Sequence, residues 1–394
     1  MTATLTVRAR LEGALFAFAQ SEPLGVRLAL LAMLLSLPGA FMGFQLDDHV
    51  GRYVFSELPG AKHLYQLYGG GYALANGDAG DNHWQVESGY APWWTYPQLR
   101  ISFLRPLSLL THELDAQLFP DSSLLQHAHS LLWLGLLVVI ATWLYRGVLG
   151  AFVGGLAALL FALDHTRGFA VGFVMNRHAL IGAALGALCL ALHQRERRGP
   201  AAIVYAAALL SSESAIAVAG YLFAYAVFLQ PGKARRRLVS LVPYVAITLL
   251  WRALYNATGH GGFGSGLYVD PAREPIEFAV TLLRRAPIQA LGQLLVPPAE
   301  VYWLYGPRLA QAVWCAGVLA LVAFAAALVP LWQREPSARF WALGCALSLV
   351  PASAGYPSGR QMAFVGLGAM PLLAQLWHLH AVTLRDAPRA EGGR

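Results

Sequence analysis

Asp47 and Asp48 stand side by side in GFQLDDHVGR (43–52), at the end of an apolar run that begins near Leu24. Ionised carboxylates are costly beside hydrocarbon, so a pair of them here asks for a reason. The chemistry that suits them is general-base catalysis on a hydroxyl. If the run before them is a helix, its C-terminal end disfavours each negative charge by roughly 0.3 to 1 kcal/mol. The two acids also repel one another. Both effects raise a carboxyl pKa toward the range in which a base works near neutrality. Neighbours in sequence point apart on a helix or strand, so one acid faces a reacting group and the other takes a supporting or metal-binding place. Hydrated acids marking the end of a membrane span are an equally good account of these two residues alone.

Arg105, His127, Arg177, Glu213 and Arg360 fall on the same side of the membrane as the acids in the topology below. Ionisable groups at membrane depth mark function by default, and cations gathered near an acid suit an anionic lipid headgroup. Snorkelling explains any single arginine, so it is the shared side that groups them. GHGGFGSGLYVDPAREP (259–275) adds Asp270 and a glycine-rich run whose backbone N–H groups could approach phosphate. A flexible surface loop is the plainer account of it. No Gly-Lys-Ser/Thr follows, so it is no Walker A motif. His127 and His129 of HAH point apart on a helix, which argues against a shared metal site. GDAGDNHW (77–84) lacks the glutamate of an EF-hand loop and is expected to be a solvated loop. Cys189, Cys315 and Cys345 lie in apolar runs without metal or disulfide spacing. No metal site is expected.

The elements that must position these residues are membrane spans. Of the 394 residues 57% are hydrophobic and 12% charged, with a mean hydropathy of +0.50. The chain therefore belongs with integral membrane proteins, as a single transmembrane domain over 1–394. A net charge of +7 would suit nucleic acid in a soluble domain, but here the basic residues form short clusters between apolar runs. That is a topology signal, and no nucleic-acid partner is expected. Apolar runs predict an all-α, polytopic protein of about ten spans. The first run is too long for a signal-peptide core and is expected to be retained as a span. The stretch Ala201–Leu229 is interrupted by SSES (211–214) and flanked by RERR and KARRR. Two short helices in a hairpin keep both basic clusters on one side. Arg8, Arg10, Arg146, Arg334, Arg339, Arg385 and Arg389 join them there, placing both termini and the 385–394 tail in the cytoplasm. The other side receives a long loop (45–120), a short one (164–177), the SSES turn, a second long loop (256–308) and PASAGYPSGRQ (351–361). Leu107, Leu110, Leu114 and Leu118 predict an interfacial helix over 105–119. Arg284 and Arg285 would each cost about 2.5 to 3.5 kcal/mol at the bilayer centre, so 276–295 is also expected to be interfacial or re-entrant.

FQLDDHV, then FLRPLSLLTHELDAQLFPDSSLLQHAHSLL (103–132), LLFALDHTRGFAVGFVMNRHALIGA (159–183), LLSSESA and PSGRQMAF occur in an order that resembles integral-membrane glycosyltransferases of the C-type fold. The nearest likeness is to the membrane part of tetratricopeptide-containing O-mannosyltransferases and related bacterial proteins, over about 45–379. The resemblance implies a transferase that uses a polyprenyl-phosphate sugar, with Asp47 and Asp48 matching the catalytic acids of the first outer loop. It implies that Arg105, Arg177 and Arg360 bind the donor phosphate and that His127 and Glu213 orient them; Asp270, from the glycine-rich loop and not from the resemblance, is a possible second acid in the cleft. Ser212 stands where the family usually has lysine, Ala179 where aspartate is common and Phe169 where glutamate is expected.

The reaction expected is transfer of a sugar from the lipid phosphate to an extracytoplasmic hydroxyl of a protein, lipid or glycan acceptor, with inversion. No cofactor is required by a monophosphate donor; a diphosphate donor usually wants a divalent cation. The expected location is the inner membrane of a bacterium with the active site extracytoplasmic. A lipid-linked sugar transporter or flippase, and a non-catalytic scaffold of envelope assembly, are the competing expectations.

Overall fold

A computed structural model of the chain describes residues 13, 14, 16–56 and 72–386. Helix α1 (Leu24–Ser36) runs into a 3-10 turn (Leu37–Phe41), and α2 (Asp47–Val54) opens the first loop. That loop also carries β1 (Ala73–Asn76), α3 (Ala79–Glu87), β2 (Arg100–Ser102) and α4 (Pro106–Leu118). Next come α5 (Ser123–Ala162), α6 (Gly168–Gly172), α7 (Arg177–Gln194), α8 (Arg198–Ser211) and α9 (Ala217–Phe228). They are followed by α10 (Ala234–Val239), α11 (Val242–Ala257), β3 (Gly261–Phe263) and α12 (Pro275–Leu294). Helices α13 (Pro307–Arg334), α14 (Pro336–Ala352) and α15 (Ala363–Asp386) complete the chain.

Five segments among the described residues are long and apolar enough to cross a membrane: Leu24–Phe41, Ser123–Ala162, Val174–Gln194, Ala234–Ala257 and Pro307–Arg334. Their outer faces are apolar, with Leu30, Leu34, Leu249, Leu250, Leu319 and Val322 all exposed. Such a surface is stable against lipid rather than water. Helix α4 has the same inversion in miniature. Ser108, His112 and Asp115 are buried on its protein side, while Leu110, Leu114 and Leu118 face outward.

Two reversals fold the apolar runs back on themselves. In α5, Gly150 has φ 74° and ψ −179°, a conformation open essentially to glycine alone. A Cβ added at Gly154 would lie 2.7 Å from the Cα of Arg146. The rings of Tyr145 and Phe161, separated by roughly 24 Å in a straight helix, lie 5.9 Å apart. The segment is thus two antiparallel arms. The second reversal is the SSES stretch, where Ser212 is extended between α8 and a 3-10 turn at Glu213–Ile216. Tyr225 near the end of α9 packs 5.6 Å from His193, and Tyr205 at the middle of α8 packs 5.6 Å from Tyr244, which itself meets His193 at 5.3 Å. The far ends of the two helices therefore come together, as the basic clusters at either side of the stretch require.

The basic residues gather at that end of the bundle. Arg146 donates to the carbonyls of Ala19 and Ser21, Arg237 to that of Val227, and Arg339 to that of Trp332. Arg195 lies 3.6 Å from the ring centre of Trp143. Arg8, Arg10, Arg389 and most of the 385–394 tail lie outside the described residues.

At the opposite end the two long loops are stitched by an antiparallel sheet in the order β1-β2-β3, with Ala75 opposite Ile101 and Arg100 opposite Phe263. Among the described residues this is the one exception to the all-helical expectation, and strands of three or four residues are too short to show a period of two. Arg285 of α12 is buried and donates to the carbonyls of Gly266, Leu267 and Ser353, while Arg284 is exposed. Helix α12 is held by these bonds against the second loop.

Replacing Gly150 by alanine should lower stability by about 1 to 3 kcal/mol through backbone strain, read as a reduced melting temperature in detergent. Gly199, which has open space around its Cα, should tolerate the same change without a fall.

Candidate functional site

The chain leaves α1 through Gly43 (φ 76°) and Leu46 (φ 39°), then starts α2 at Asp47. The two acids therefore sit in the first turn of a new helix, where the dipole favours negative charge. This corrects the expectation that a helix C-terminus opposes them. Asp48 is 2% exposed. Its carboxylate accepts hydrogen bonds from the backbone N–H groups of Gln45 (3.0 Å), Val174 (3.2 Å) and Met175 (2.8 Å). Asp47 points elsewhere and has no hydrogen-bond partner among the described residues. Its side chain is exposed, yet the protein packed around it is enough to shift its equilibrium. Burial raises its carboxyl above the usual carboxylate range; Asp48 adds to this, while the Arg360 and Arg105 guanidiniums pull the other way.

Arg105 caps the start of α4, where Pro106 sets the first helical φ. Its Nε donates to Glu213 Oε2 at 2.8 Å and its Nη2 to Glu213 Oε1, a two-pronged pair. The same guanidinium lies 4.9 Å from the ring centre of Tyr72 and 4.4 Å from that of Phe103. Tyr72 Oη is 2.7 Å from His112 Nε2. Burial, helped by the charge on Arg177, holds the His112 ring well below the usual histidine range, and so neutral. Arg360 donates to Asn176 Oδ1 at 2.6 Å and to the Tyr268 hydroxyl at 2.9 Å, with its guanidinium 4.8 Å from the ring centre of Tyr356. Its Nε has no partner. Asp47, Arg105, Glu213 and Arg360 thus form one electrostatic cluster.

Arg177, His127 and Asp270 are placed differently. Arg177 is fully enclosed: Nη2 pairs with Asp115 at 2.5 Å, Nε donates to Ser130 at 3.0 Å, and Nη2 also donates to the Gln126 carbonyl at 2.7 Å. It pins α4 to α5 and α7 and is closed to a ligand. His127 sits with its ring nitrogens each 3.0 Å from a carbonyl oxygen, of Val171 and of Gly43, and so fixes the segment leading into the acids. His129 points away to Asp115, as the HAH spacing required. Asp270 pairs with Arg252 at 2.6 Å and accepts from the Ala272 N–H. Asp78 caps α3 through the N–H groups of Gly80 and Asp81, which accounts for the GDAGD stretch. No group of three or more metal-ligating side chains occurs among the described residues.

Two cavities flank the cluster. One, of about 610 Å³, is an apolar groove between α9, α11 and α14, with Phe223, Leu249, Leu347 and Val350 along its length and Glu213, Tyr268 and Gln361 at its polar mouth. The other, of about 470 Å³, has Asp47 in its wall; its other described lining residues are uncharged, with Tyr90, Trp94 and Tyr96 set among aliphatic side chains such as Val50, Leu99 and Ile101. Gly261 and Gly262 line the first and Gly264 and Ser265 the second, so the glycine-rich segment is the partition between them. Its glycines serve close approach: a Cβ at Gly264 would lie 2.6 Å from the Tyr96 ring.

Tyr72, Asp115, Asn176 and Tyr268 escaped sequence reasoning. For Asp115 a signal existed, since Ser108, His112 and Asp115 share the helix face opposite the leucine stripe. No family model, curated protein or solved structure matches this chain.

Removing Arg177 leaves the buried Asp115 carboxylate with His129 as its remaining side-chain partner and should cost about 3 to 5 kcal/mol. Arg177→Ala is therefore expected to unfold at markedly lower temperature in detergent, whereas Arg360→Ala, at a half-open site, should keep its melting temperature within a few degrees.

Proposed function

We propose that this chain is a membrane glycosyltransferase of the C-type fold, which moves a sugar from a polyprenyl-phosphate donor to an acceptor hydroxyl with inversion. The observation that carries the proposal is the open, raised-pKa carboxylate of Asp47 beside Arg360 and Arg105, next to an apolar groove with a polar mouth. The groove suits a prenyl chain entering from the bilayer, and the half-open Arg360 suits a phosphate.

In the proposed step the acceptor O–H gives its proton to Asp47 as its oxygen bonds to the anomeric carbon. The bond from that carbon to the phosphate oxygen breaks, and the electron pair leaves with the polyprenyl phosphate. Arg360 offsets the charge that develops there, a contribution of about 10² in rate or more. Arg105 acts through its pair with Glu213, holding a positive field at the site. Arg177 and His127 are positioning residues, and Asp48 anchors the loop. We further propose about ten membrane crossings, both termini cytoplasmic, in a bacterial inner membrane. The basic end of the bundle supports that orientation.

Asp47→Asn should lower turnover by about 10² to 10⁴-fold while leaving donor binding within a few-fold, measured with radiolabelled polyprenyl-phosphate sugars in proteoliposomes. A transporter would yield no glycosidic product even from the unaltered protein, and a scaffold would be indifferent to the change. The base works only when ionised. Because the Asp47 carboxyl is raised, turnover should fall on acidification at a higher pH than an ordinary carboxylate would dictate. A rate that stays flat down to the ordinary carboxylate range would remove Asp47 from this role.

A further inference from the structure

We propose that the aromatic cavity beside Asp47 is the acceptor site and that the acceptor is a neutral glycan. The proposal rests on the transferase reading of Asp47 and deepens it by naming the acceptor class. Tyr90, Trp94 and Tyr96 line this cavity with Gln85, Thr95 and Ser265. Apart from Asp47 no charged side chain among the described residues lines it, so the described wall offers no match to an anionic lipid headgroup or to the charges of a typical peptide. Flat rings match the apolar C–H face of a sugar, and the hydroxyls of Thr95, which donates to the Pro92 carbonyl, and Ser265, which accepts from the Leu267 N–H, keep a lone pair and a proton respectively for its hydroxyls.

The rings are presented rather than loosely hung. Tyr90 packs against Trp84 (5.8 Å) and Tyr53 (5.5 Å). Tyr96 packs on Phe263 at 6.1 Å and against the bare Cα of Gly264. Trp94 is held edge-on by Trp93 at 5.3 Å and remains 68% exposed. A wide aromatic surface fixed in place before binding loses little freedom when it takes a ligand. Its position is what a second substrate needs. The glycine-rich partition separates it from the lipid groove, and Asp47 stands in its wall.

The test uses the full chain in detergent and neutral glucan, mannan and galactan oligosaccharides of roughly two to six units as probes, a length matched to a cavity of this class. A serine- and threonine-containing peptide and vesicles with anionic lipid serve as comparison arms. At least one oligosaccharide should bind saturably, by calorimetry and tryptophan fluorescence. Trp94→Ala and Tyr96→Ala should each weaken it by about tenfold, the value of one ring face. In turnover the same variants should raise the acceptor KM by that factor with kcat within about twofold. Absence of oligosaccharide binding overturns the proposal. So does binding that ignores Trp94 and Tyr96, preferential binding of the peptide, or a Trp94 effect seen only on vesicle partition, which would make these rings membrane anchors. If oligosaccharide binds through Trp94 but no sugar is transferred, the transferase reading falls and the glycan site stands. If transfer depends on Asp47 but not on the rings, the reverse holds.

Discussion

Three backbone N–H groups converge on the Asp48 carboxylate, two of them from residues 126 and 127 positions further along the chain. That contact decides the site. Adjacent residues at a helix start point apart, so anchoring Asp48 to the Val174–Met175 turn leaves Asp47 to face Arg360 and Arg105. Two identical side chains take opposite roles because one has its lone pairs filled and the other has none filled. Leu46, at φ 39°, carries the strain that lets the chain turn sharply enough for this, of order 1 to 3 kcal/mol. His127 braces the same segment from beneath through the Gly43 carbonyl.

The arginines are sorted by the same logic. Arg177 and Arg285 spend their donors on buried carbonyls and, for Arg177, on Asp115; they hold loops. Arg105 shares its charge with Glu213, which keeps a cation at the rim without leaving it free to wander. Of the three donor-phosphate candidates, Arg105 and Arg177 are buried and Arg360 keeps a partly open face. Charge is thus distributed between scaffold and site.

Much of the fold was legible because bilayers impose simple rules. Apolar runs, the break at SSES and the gathering of basic clusters follow from length and charge sign, and the divergence of His127 and His129 follows from helix geometry. The site was only half legible. Arg177 and Arg360 look alike in sequence, each an arginine just before an apolar helix, and only tertiary partners separate them: Asp115 and Ser130 for one, Asn176 and Tyr268 for the other. The helix-dipole argument failed because the span ends before Gly43 and a new helix begins at Asp47. The partition between the two cavities comes from β3 and the glycines after it, and a three-residue strand leaves no periodic trace.

A structure of the Asp47→Asn variant in a lipid nanodisc with a polyprenyl-phosphate sugar bears most directly on this account. It should place the phosphate within hydrogen-bond reach of the Arg360 guanidinium, the prenyl chain between α9 and α14, and the anomeric carbon facing residue 47. A donor bound elsewhere, or residue 47 turned toward hydrocarbon or cytosol with the donor in place, would contradict it.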